Sequence, residues 1–301
     1  MIRHPHVKVN LGLDVLRKRP DGYHDLETLF VPYRGIQDTL EVVSGDDYSR
    51  TSASLQARYA PEEIAQGISP DGKLMMTIAR KGGVDWEAVQ DLCAKAYGLL
   101  DKDFQLPPVK IFLEKTAPVG AGLGGGSSDA AFTLRMLDDL FGLHLDREQL
   151  AGYAARLGSD CAFFIYDGPM IGRGRGEILS PWTLPELDWE GTHPEKPYVL
   201  QVVVPEGIQV STAEAYRGIR PRETAPRTEG GRSLEEILPL PITQWKDLLI
   251  NDFEKTVFAI HPELAAIKQS LYDSGAVYAA MSGSGSALLG IYPKISTSSP
   301  L

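Results

Sequence analysis

The chain is organised around the stretch Pro118-Val119-Gly120-Ala121-Gly122-Leu123-Gly124-Gly125-Gly126-Ser127-Ser128-Asp129-Ala130. Its five glycines within seven positions leave backbone N–H groups open to a ligand. Apolar residues recur every three or four positions from Ala130 to Phe141 and predict a helix, which Ser127, Ser128 or Asp129 could cap. A glycine loop that leads into a helix N-terminus binds anions, because free N–H groups and the positive end of the helix dipole face the same point. The stretch therefore predicts a phosphate or nucleotide site.

Three well-known phosphate-binding loops do not account for this stretch. A Walker A loop needs a lysine directly after its glycines, and none follows here. Gly120, Gly122 and Gly125 formally meet the Rossmann pattern, but the acidic residues at the required distance, Asp138 and Asp139, fall on the predicted helix and not at the end of a second strand. The signature sequences of protein kinases do not occur. The loop therefore belongs to another class of phosphate-binding protein.

Composition limits the function classes. A chain of 301 residues is long enough for two domains or one large one, and 43% hydrophobic with 23% charged residues is typical of a globular protein. The net charge of −10 argues against a nucleic-acid partner. The lack of an 18-residue apolar run and of a signal-peptide core predicts a cytoplasmic protein without a membrane partner. Cys93 and Cys161 lie in apolar surroundings, which predicts structural roles for both.

The first strand and the turn after it place polar residues together. Apolar residues alternate from Val7 to Val15 and predict a half-buried strand, with Lys8 and Asn10 on its other face. A turn at Pro-Asp-Gly then presents Tyr23 and His24. On this pattern alone, the sequence favours a solvent-facing lysine and a surface histidine over functional ones.

The remaining periodicities predict alternating helices and strands. Residues 44–73 are polar and irregular, which indicates a surface loop or insertion. Asp160 precedes the apolar run 161–165, which is interpreted as a strand, and on this pattern alone Asp160 is a structural residue of a turn. The other predicted elements are strands at 26–31, 38–43, 109–113, 198–204, 276–281 and 287–292, a hairpin around 172–177, and helices at 86–100, 146–157, 213–217 and from 262.

At this point the residues resemble a known family. The glycine stretch is similar to the second motif of the galactokinase, homoserine kinase, mevalonate kinase and phosphomevalonate kinase family. Residues 8–13 resemble its first motif and residues 281–287 its third, in the same order along the chain. Residues 19–30, with Asp-Gly-Tyr-His at their centre, are similar to the hallmark of the branch that acts on 4-diphosphocytidyl-2-C-methyl-D-erythritol in the non-mevalonate isoprenoid pathway.

The resemblance, which extends from about residue 7 to 292, implies a fold of mixed α/β and α+β type in two domains. Residues 1–167 would form an N-terminal ATP-binding domain of the ribosomal-protein-like α/β type, and residues 168–301 a C-terminal ferredoxin-like domain, with the active site between them. It also implies a small-molecule kinase that transfers the γ-phosphoryl group of ATP to the 2-hydroxyl of the cytidyl-diphosphate substrate, with Mg²⁺ shielding the phosphates.

The resemblance also assigns roles to individual residues. Residues 118–128 would bind ATP, and Ser127 or Ser128 would contact Mg²⁺. The other expected site residues are Asp160 as catalytic base, Lys8 as its cationic partner, Asn10 near the reacting hydroxyl, Tyr23 and His24 on the cytosine, and Thr212 on the substrate side. The family commonly has a proline soon after the catalytic aspartate, where this chain has Cys161 and Ala162.

Two other functions remain open from the sequence. A kinase of the same family could act on a mevalonate-type or homoserine-type substrate, although such an acceptor would not require Tyr23 and His24. A non-enzymatic ATP-binding relative is the second alternative, and the presence of both Lys8 and Asp160 argues against it.

Overall fold

A computed structural model describes residues 1–222 and 232–294 of the chain. Its strands, in chain order, are Ile2–Arg3 (β1), His6–Lys18 (β2), His24–Gln37 (β3), Thr39–Ser44 (β4), Ile64–Ile68 (β5), Leu74–Arg80 (β6), Val109–Lys115 (β7), Met170–Gly174 (β8), Ile178–Pro181 (β9), Leu187–Asp188 (β10), Tyr198–Val203 (β11), Tyr278–Met281 (β12) and Leu288–Pro293 (β13). Its α-helices are Ser52–Arg58 (α1), Leu92–Phe104 (α2), Gly125–Phe141 (α3), Arg147–Leu157 (α4), Cys161–Tyr166 (α5), Thr212–Arg217 (α6), Leu234–Ile237 (α7), Phe253–Ile260 (α8) and Pro262–Asp273 (α9).

The chain divides into two compact units, neither of which is continuous in sequence. The first unit comprises Met1–Val7, Ile36–Val119 and Gly124–Asp167. The second comprises Lys8–Gly35, Gly120–Leu123 and the described residues from Gly168 onward. The domain division predicted between residues 167 and 168 stays a prediction.

The first unit is built on a five-stranded sheet in the order β1-β4-β7-β6-β5. Strands β6 and β7 are parallel, with Leu74 opposite Val109, and the other neighbours are antiparallel. Helix α3 contacts α2, α4 and α5. Helix α4 begins with a capping box in which Asp146 accepts from the Gln149 N–H and the Gln149 side chain accepts from the Asp146 N–H.

The second unit contains two four-stranded sheets, in the orders β2-β3-β8-β9 and β10-β11-β13-β12. The predicted hairpin is confirmed by the antiparallel pair β8–β9. Helices α8 and α9 pack together, and α9 packs on β12 and β13. Their apolar faces form one core with β2, which includes Leu13, Val15, Phe253, Val257, Leu264, Leu271, Met281 and Leu288.

Several predicted elements are wrong. For residues 44–73 the loop alternative is wrong, since they contain α1 and β5, and the insertion alternative stays a prediction. The apolar run after Asp160 is helix α5 and not a strand, and five of its six residues are buried. A short run that is buried on all sides has no period that separates helix from strand. Helix α3 begins earlier than predicted, at Gly125, so Ser127, Ser128 and Asp129 lie inside its first turns and do not cap it.

In the part of the chain that the structure describes, no helix is long and apolar enough to cross a membrane.

Candidate active site

The glycine loop adopts a backbone that favours glycine at alternate positions. Gly120, Gly122 and Gly124 have φ angles of 76°, 75° and 70°, in the left-handed region. Gly124 is the N-cap of α3, so no capping side chain covers the first N–H groups of this 17-residue helix. The loop therefore has the features of an anion site: helix N–H groups without a capping side chain and the positive end of the helix dipole.

In the second unit, loop residues 120–123 pack directly against the small-residue loop that precedes β13. The Ala287 N–H donates to the Ala121 carbonyl at 3.2 Å, and the Ser282 hydroxyl donates to the Gly122 carbonyl at 3.3 Å. A Cβ at Gly122 would lie 2.3 Å from the Ser282 carbonyl oxygen. The third sequence motif thus supports the backbone of the second, and only glycine fits at their closest approach.

Lys8 and Asn10 lie side by side on β2 beneath this loop segment. The Lys8 Nζ donates to Asn10 Oδ1 at 2.6 Å and to the Gly122 carbonyl at 3.2 Å, and Lys8 is only 4% exposed. Asn10 Nδ2 donates to Thr28 Oγ1 at 3.0 Å, which fixes the orientation of the amide. The solvent-facing alternative for Lys8 is therefore wrong. The hydrogen bonds to Asn10 and Gly122 offset part of the free energy that burial of the ammonium costs.

His24 stacks on an aromatic residue that the sequence did not single out. The rings of His24 and Tyr216 lie 4.7 Å apart with an interplanar angle of 21°, and Phe253 supports Tyr216 edge-on at 4.8 Å. Burial, together with the charge of Lys18, lowers the pKa of His24, so its imidazole is neutral near pH 7. A neutral imidazole stacked on a tyrosine offers a flat surface and both a donor and an acceptor at its edge.

Tyr23 directly precedes His24 at the end of the same turn. The residue is 56% exposed, and the Arg175 guanidinium carbon lies 4.9 Å from the centroid of its ring. An exposed aromatic ring beside a guanidinium is suited to a flat, anionic ligand such as a nucleotide. Tyr23 and His24 do not stack on each other.

Thr212 is the first residue of α6, the helix that carries Tyr216. Ser211 caps this helix by accepting from the Glu214 N–H at 3.1 Å. The Thr212 hydroxyl lies 3.4 Å from that of Ser284, so it meets the loop of the third motif. Its predicted role toward the substrate stays a prediction.

In the first unit, the N-terminus of α3 meets the segment that carries Asp160. Asp160 is the N-cap residue of α5 and is partly buried. A Cβ at Gly158 would lie 3.3 Å from the Cys161 sulfur and 4.0 Å from the Ser127 hydroxyl oxygen. Burial raises the pKa of the Cys161 thiol to about 11, although a hydrogen bond with Ser127 acts against it. The Cys161 thiol is therefore neutral, and the segment 158–161, which includes Asp160, lies next to the first turn of α3.

A buried charge cluster supports the first turn of α3, and sequence reasoning missed it. The Lys115 ammonium bridges the carboxylates of Asp38 and Asp129, with a distance of 2.7 Å to Asp129. Burial alone would lower the pKa of Lys115, but the two carboxylates outweigh it and raise this pKa above its usual value. Burial raises the pKa of Asp129. Lys115, Asp38 and Asp129 are called the Lys115 cluster below. The sequence signal that could have revealed it is Asp129, an aspartate on an otherwise apolar face of α3.

Two family models and a curated relative match this chain. The family model described as GHMP kinases N terminal domain matches residues 88–168, and the model described as GHMP kinases C terminal matches residues 241–297. A curated 4-diphosphocytidyl-2-C-methyl-D-erythritol kinase from Bacteroides fragilis is 42% identical over 97% of this chain and 92% of its own length.

The chain belongs to the 4-diphosphocytidyl-2-C-methyl-D-erythritol kinase family of GHMP kinases. A solved structure of a 4-(cytidine 5'-diphospho)-2C-methyl-D-erythritol kinase is 32% identical, with a TM-score of 0.69 over 96% of this chain and 89% of that one. A solved mevalonate kinase is similar in fold alone, at 13% identity and a TM-score of 0.63 over 97% of this chain and 91% of that one.

Membership of this kinase family confirms that the chain is an ATP-dependent phosphotransferase, with ATP as a substrate. The matches also confirm the predicted GHMP kinase fold. Of the predicted site residues, Lys8, Asn10 and loop residues 120–123 lie together in the second unit, where Tyr23, His24 and Thr212 also lie. Ser127 and Asp160 lie together in the first unit. The individual roles of these residues stay predictions.

Proposed function

We propose that this chain transfers the γ-phosphoryl group of ATP to the 2-hydroxyl of 4-diphosphocytidyl-2-C-methyl-D-erythritol, in the non-mevalonate isoprenoid pathway. The observation that carries the chemistry is the meeting of the first turn of α3, at Ser127, with the segment that holds Asp160. A phosphate held by the glycine loop would therefore have a carboxylate beside it. The names of the curated relatives support the choice of acceptor.

We assign Asp160 as the general base of this reaction. Phosphoryl transfer depends mainly on positioning and on neutralising charge, since the protein makes no covalent bond to the phosphate. An alcohol holds its proton too tightly to lose it early, so a carboxylate accepts the proton during transfer. Lys8 is the cation that we assign to the developing negative charge, and its buried contact with Asn10 holds its ammonium in one place.

The stacked pair of His24 and Tyr216 supports a base-binding role for this part of the second unit. Cytosine is flat and has donors and acceptors at one edge, which a neutral imidazole edge can match. The exposed Tyr23 ring gives a second flat surface, and Arg175 beside it would face the diphosphate. Mevalonate and homoserine contain no such base, so these residues favour the cytidyl substrate over either of them.

Mg²⁺ fits the residues present. The described residues contain no group of three acidic, histidine or cysteine side chains that could hold a metal ion. Mg²⁺ in kinases needs no such group, because it keeps several waters and binds through substrate phosphates with one or two protein oxygens. We propose the hydroxyl of Ser127 as one of these oxygens. Ser128 is less suited, because its hydroxyl is fully buried; that hydroxyl also lacks a hydrogen-bond partner in the described chain. Mg²⁺ would neutralise charge on the β- and γ-phosphates.

The test is an ADP-release assay with ATP and Mg²⁺ and three acceptors: the cytidyl-diphosphate compound, mevalonate and homoserine. We expect turnover with the cytidyl compound alone. Turnover of mevalonate or homoserine without turnover of the cytidyl compound would overturn the proposed acceptor. Loss of all ADP release in a folded, ATP-binding preparation would support a non-enzymatic relative. Replacement of Asp160 by Asn should lower kcat by about 100-fold or more while ATP binding is kept, as expected for a general base.

A further inference from the structure

His6 is a fully buried histidine at the start of β2, and none of the roles proposed above uses it. Its side chain is 0% exposed in the first unit. Its ring centroid lies 5.8 Å from that of Phe132 in α3, in an edge-on contact, and 5.8 Å from that of Phe164 in α5. His6 therefore lies between the helix that follows the glycine loop and the helix that follows Asp160.

Both ring nitrogens of His6 face oxygen atoms. Nδ1 lies 3.0 Å from the Val7 carbonyl oxygen, and Nε2 lies 2.7 Å from Asp167 Oδ1. A carbonyl oxygen accepts hydrogen bonds and never donates, so Nδ1 carries a hydrogen. The Asp167 carboxylate oxygen is the second partner of the ring, so contacts at both ring nitrogens fix the orientation of the imidazole.

Asp167 is the residue that ends α5. It is the C-cap of the helix, its φ is 54°, and its backbone N–H donates to the Phe163 carbonyl at 3.1 Å. Helix α5 has six residues, which makes it about 9 Å long. Asp160 lies at one end of this short helix, and the contact with His6 holds the other end.

The length of α5 sets how far Asp160 moves when that end is released. A rotation of about 10° about the far end of a helix about 9 Å long displaces its first residue by about 1.5 Å. A misplacement of about 1 Å at a reacting group can cost about 100-fold in rate. A small change in the angle of α5 is therefore enough to disturb a carboxylate that must accept a proton.

We propose that His6 and Asp167 are positioning residues, which hold α5 at the angle that presents Asp160 to the acceptor hydroxyl; this role rests on the function proposed above for Asp160. The hydrogen bonds and ring contacts of His6 reach neither the glycine loop nor Asp160. It acts through the hydrogen bond to Asp167 and the ring contacts with α3 and α5.

The first test separates positioning from stability. His6→Phe keeps an aromatic ring between α3 and α5 and removes both hydrogen bonds. We expect kcat to fall about 10- to 100-fold, with the KM for ATP and for the cytidyl substrate within about 3-fold of wild type. Asp167→Asn keeps a side chain that hydrogen-bonds with Nε2, so it should retain most of the wild-type kcat. Asp167→Ala should behave like His6→Phe, and the double variant His6→Phe/Asp167→Ala should be no worse than either single one.

The matched control is Lys73→Met in the same unit. Lys73 pairs with Asp101, a contact outside α5 and outside the proposed site. This variant should lose some stability and keep the wild-type kcat. If kcat falls as far in Lys73→Met as in His6→Phe, any loss of stability in the first unit lowers the rate. That result would overturn the positioning role.

Amide hydrogen exchange gives a readout that does not depend on turnover. In His6→Phe, the amides of 163–166 should exchange faster than in wild type, and those of α4 should not change. Unchanged exchange in α5, or faster exchange with an unchanged kcat, would each overturn the positioning role while wild-type turnover still supports the proposed function. A wild-type protein that phosphorylates no acceptor would overturn the function itself, and with it the link from His6 to Asp160.

Discussion

Replacement of Gly122 by alanine should be far more damaging than the same replacement at Gly120, although the two glycines have almost equal φ angles of 75° and 76°. At Gly122, the added Cβ would lie 2.3 Å from the Ser282 carbonyl oxygen and 3.2 Å from the backbone of Gly285. At Gly120, the added Cβ would meet no atom of the described chain within 4 Å. The two variants therefore share the backbone strain and differ in the contact.

The expected loss of unfolding free energy in each variant follows from the backbone strain and from the contacts of the added Cβ. A non-glycine residue in the left-handed region costs about 1–2 kcal/mol, and this is the whole expected cost at Gly120. At Gly122, backbone must also move to relieve the overlap, which costs about 1–3 kcal/mol. That movement shifts the carbonyl that accepts from the Lys8 ammonium at 3.2 Å, a charged hydrogen bond that contributes about 1.5–3 kcal/mol. We therefore expect Gly122→Ala to lose about 4 kcal/mol or more.

Urea unfolding without nucleotide measures the loss of unfolding free energy in each of the two variants. ATP titration measures their affinity for the nucleotide. The open space beside Gly120 is where we propose that the triphosphate lies. Gly120→Ala should therefore weaken ATP binding at least about 10-fold, or about 1.4 kcal/mol, at a modest loss of stability. Equal losses of stability in the two variants would refute the contact with Ser282 as the cause. If Gly120→Ala binds ATP with wild-type affinity, the phosphates do not lie beside Gly120, and the proposed position is wrong.

Three further predictions concern other parts of the molecule. Lys115→Met leaves two buried carboxylates without their cation, so urea unfolding should show a loss of about 3–5 kcal/mol, and wild-type stability would contradict the Lys115 cluster. Burial raises the pKa of Glu41, but hydrogen bonds led by that from Ser49 outweigh it and lower this pKa below its ordinary value of 4.5. Glu41 thus contributes stability above that pH, so wild type should be more stable than Glu41→Gln at pH 7, and this difference should shrink as the pH falls below 4.5; a difference that stays constant would refute the role of these hydrogen bonds. His24→Ala should raise the KM for the cytidyl substrate about 5- to 100-fold and leave the KM for ATP unchanged. A change in the KM for ATP alone would contradict the proposed contact between His24 and cytosine.

Features of the chain that depend on neighbouring residues were predictable from the sequence. The strand β2, the capping box of α4 and the hairpin of β8 and β9 all follow from patterns within about ten residues. The predicted half-burial of β2 is wrong, because both of its faces are buried from His6 to Val15. The glycine loop belongs to the same group, because a left-handed backbone and a helix N-terminus are recognisable from the glycines and the periodicity behind them.

Features that depend on distant residues or on burial were not predictable in this way. Periodicity could not identify α5 as a helix, because its residues are apolar on every side. His24 and Tyr216 are 192 positions apart in the sequence, so no local pattern predicts that their rings stack. The rings meet only in the folded second unit. The partners of Lys115 likewise come from a distant strand end and from α3.

The most direct test of the proposed reaction is the position of the new phosphate, read by ³¹P and ¹³C NMR of the product formed from ATP and 4-diphosphocytidyl-2-C-methyl-D-erythritol. We expect one phosphomonoester, on the 2-hydroxyl, formed at a rate that Asp160→Asn lowers by about 100-fold or more. A phosphate on another hydroxyl, or an undiminished rate in Asp160→Asn, would contradict the arrangement of base, acceptor and phosphate loop proposed here.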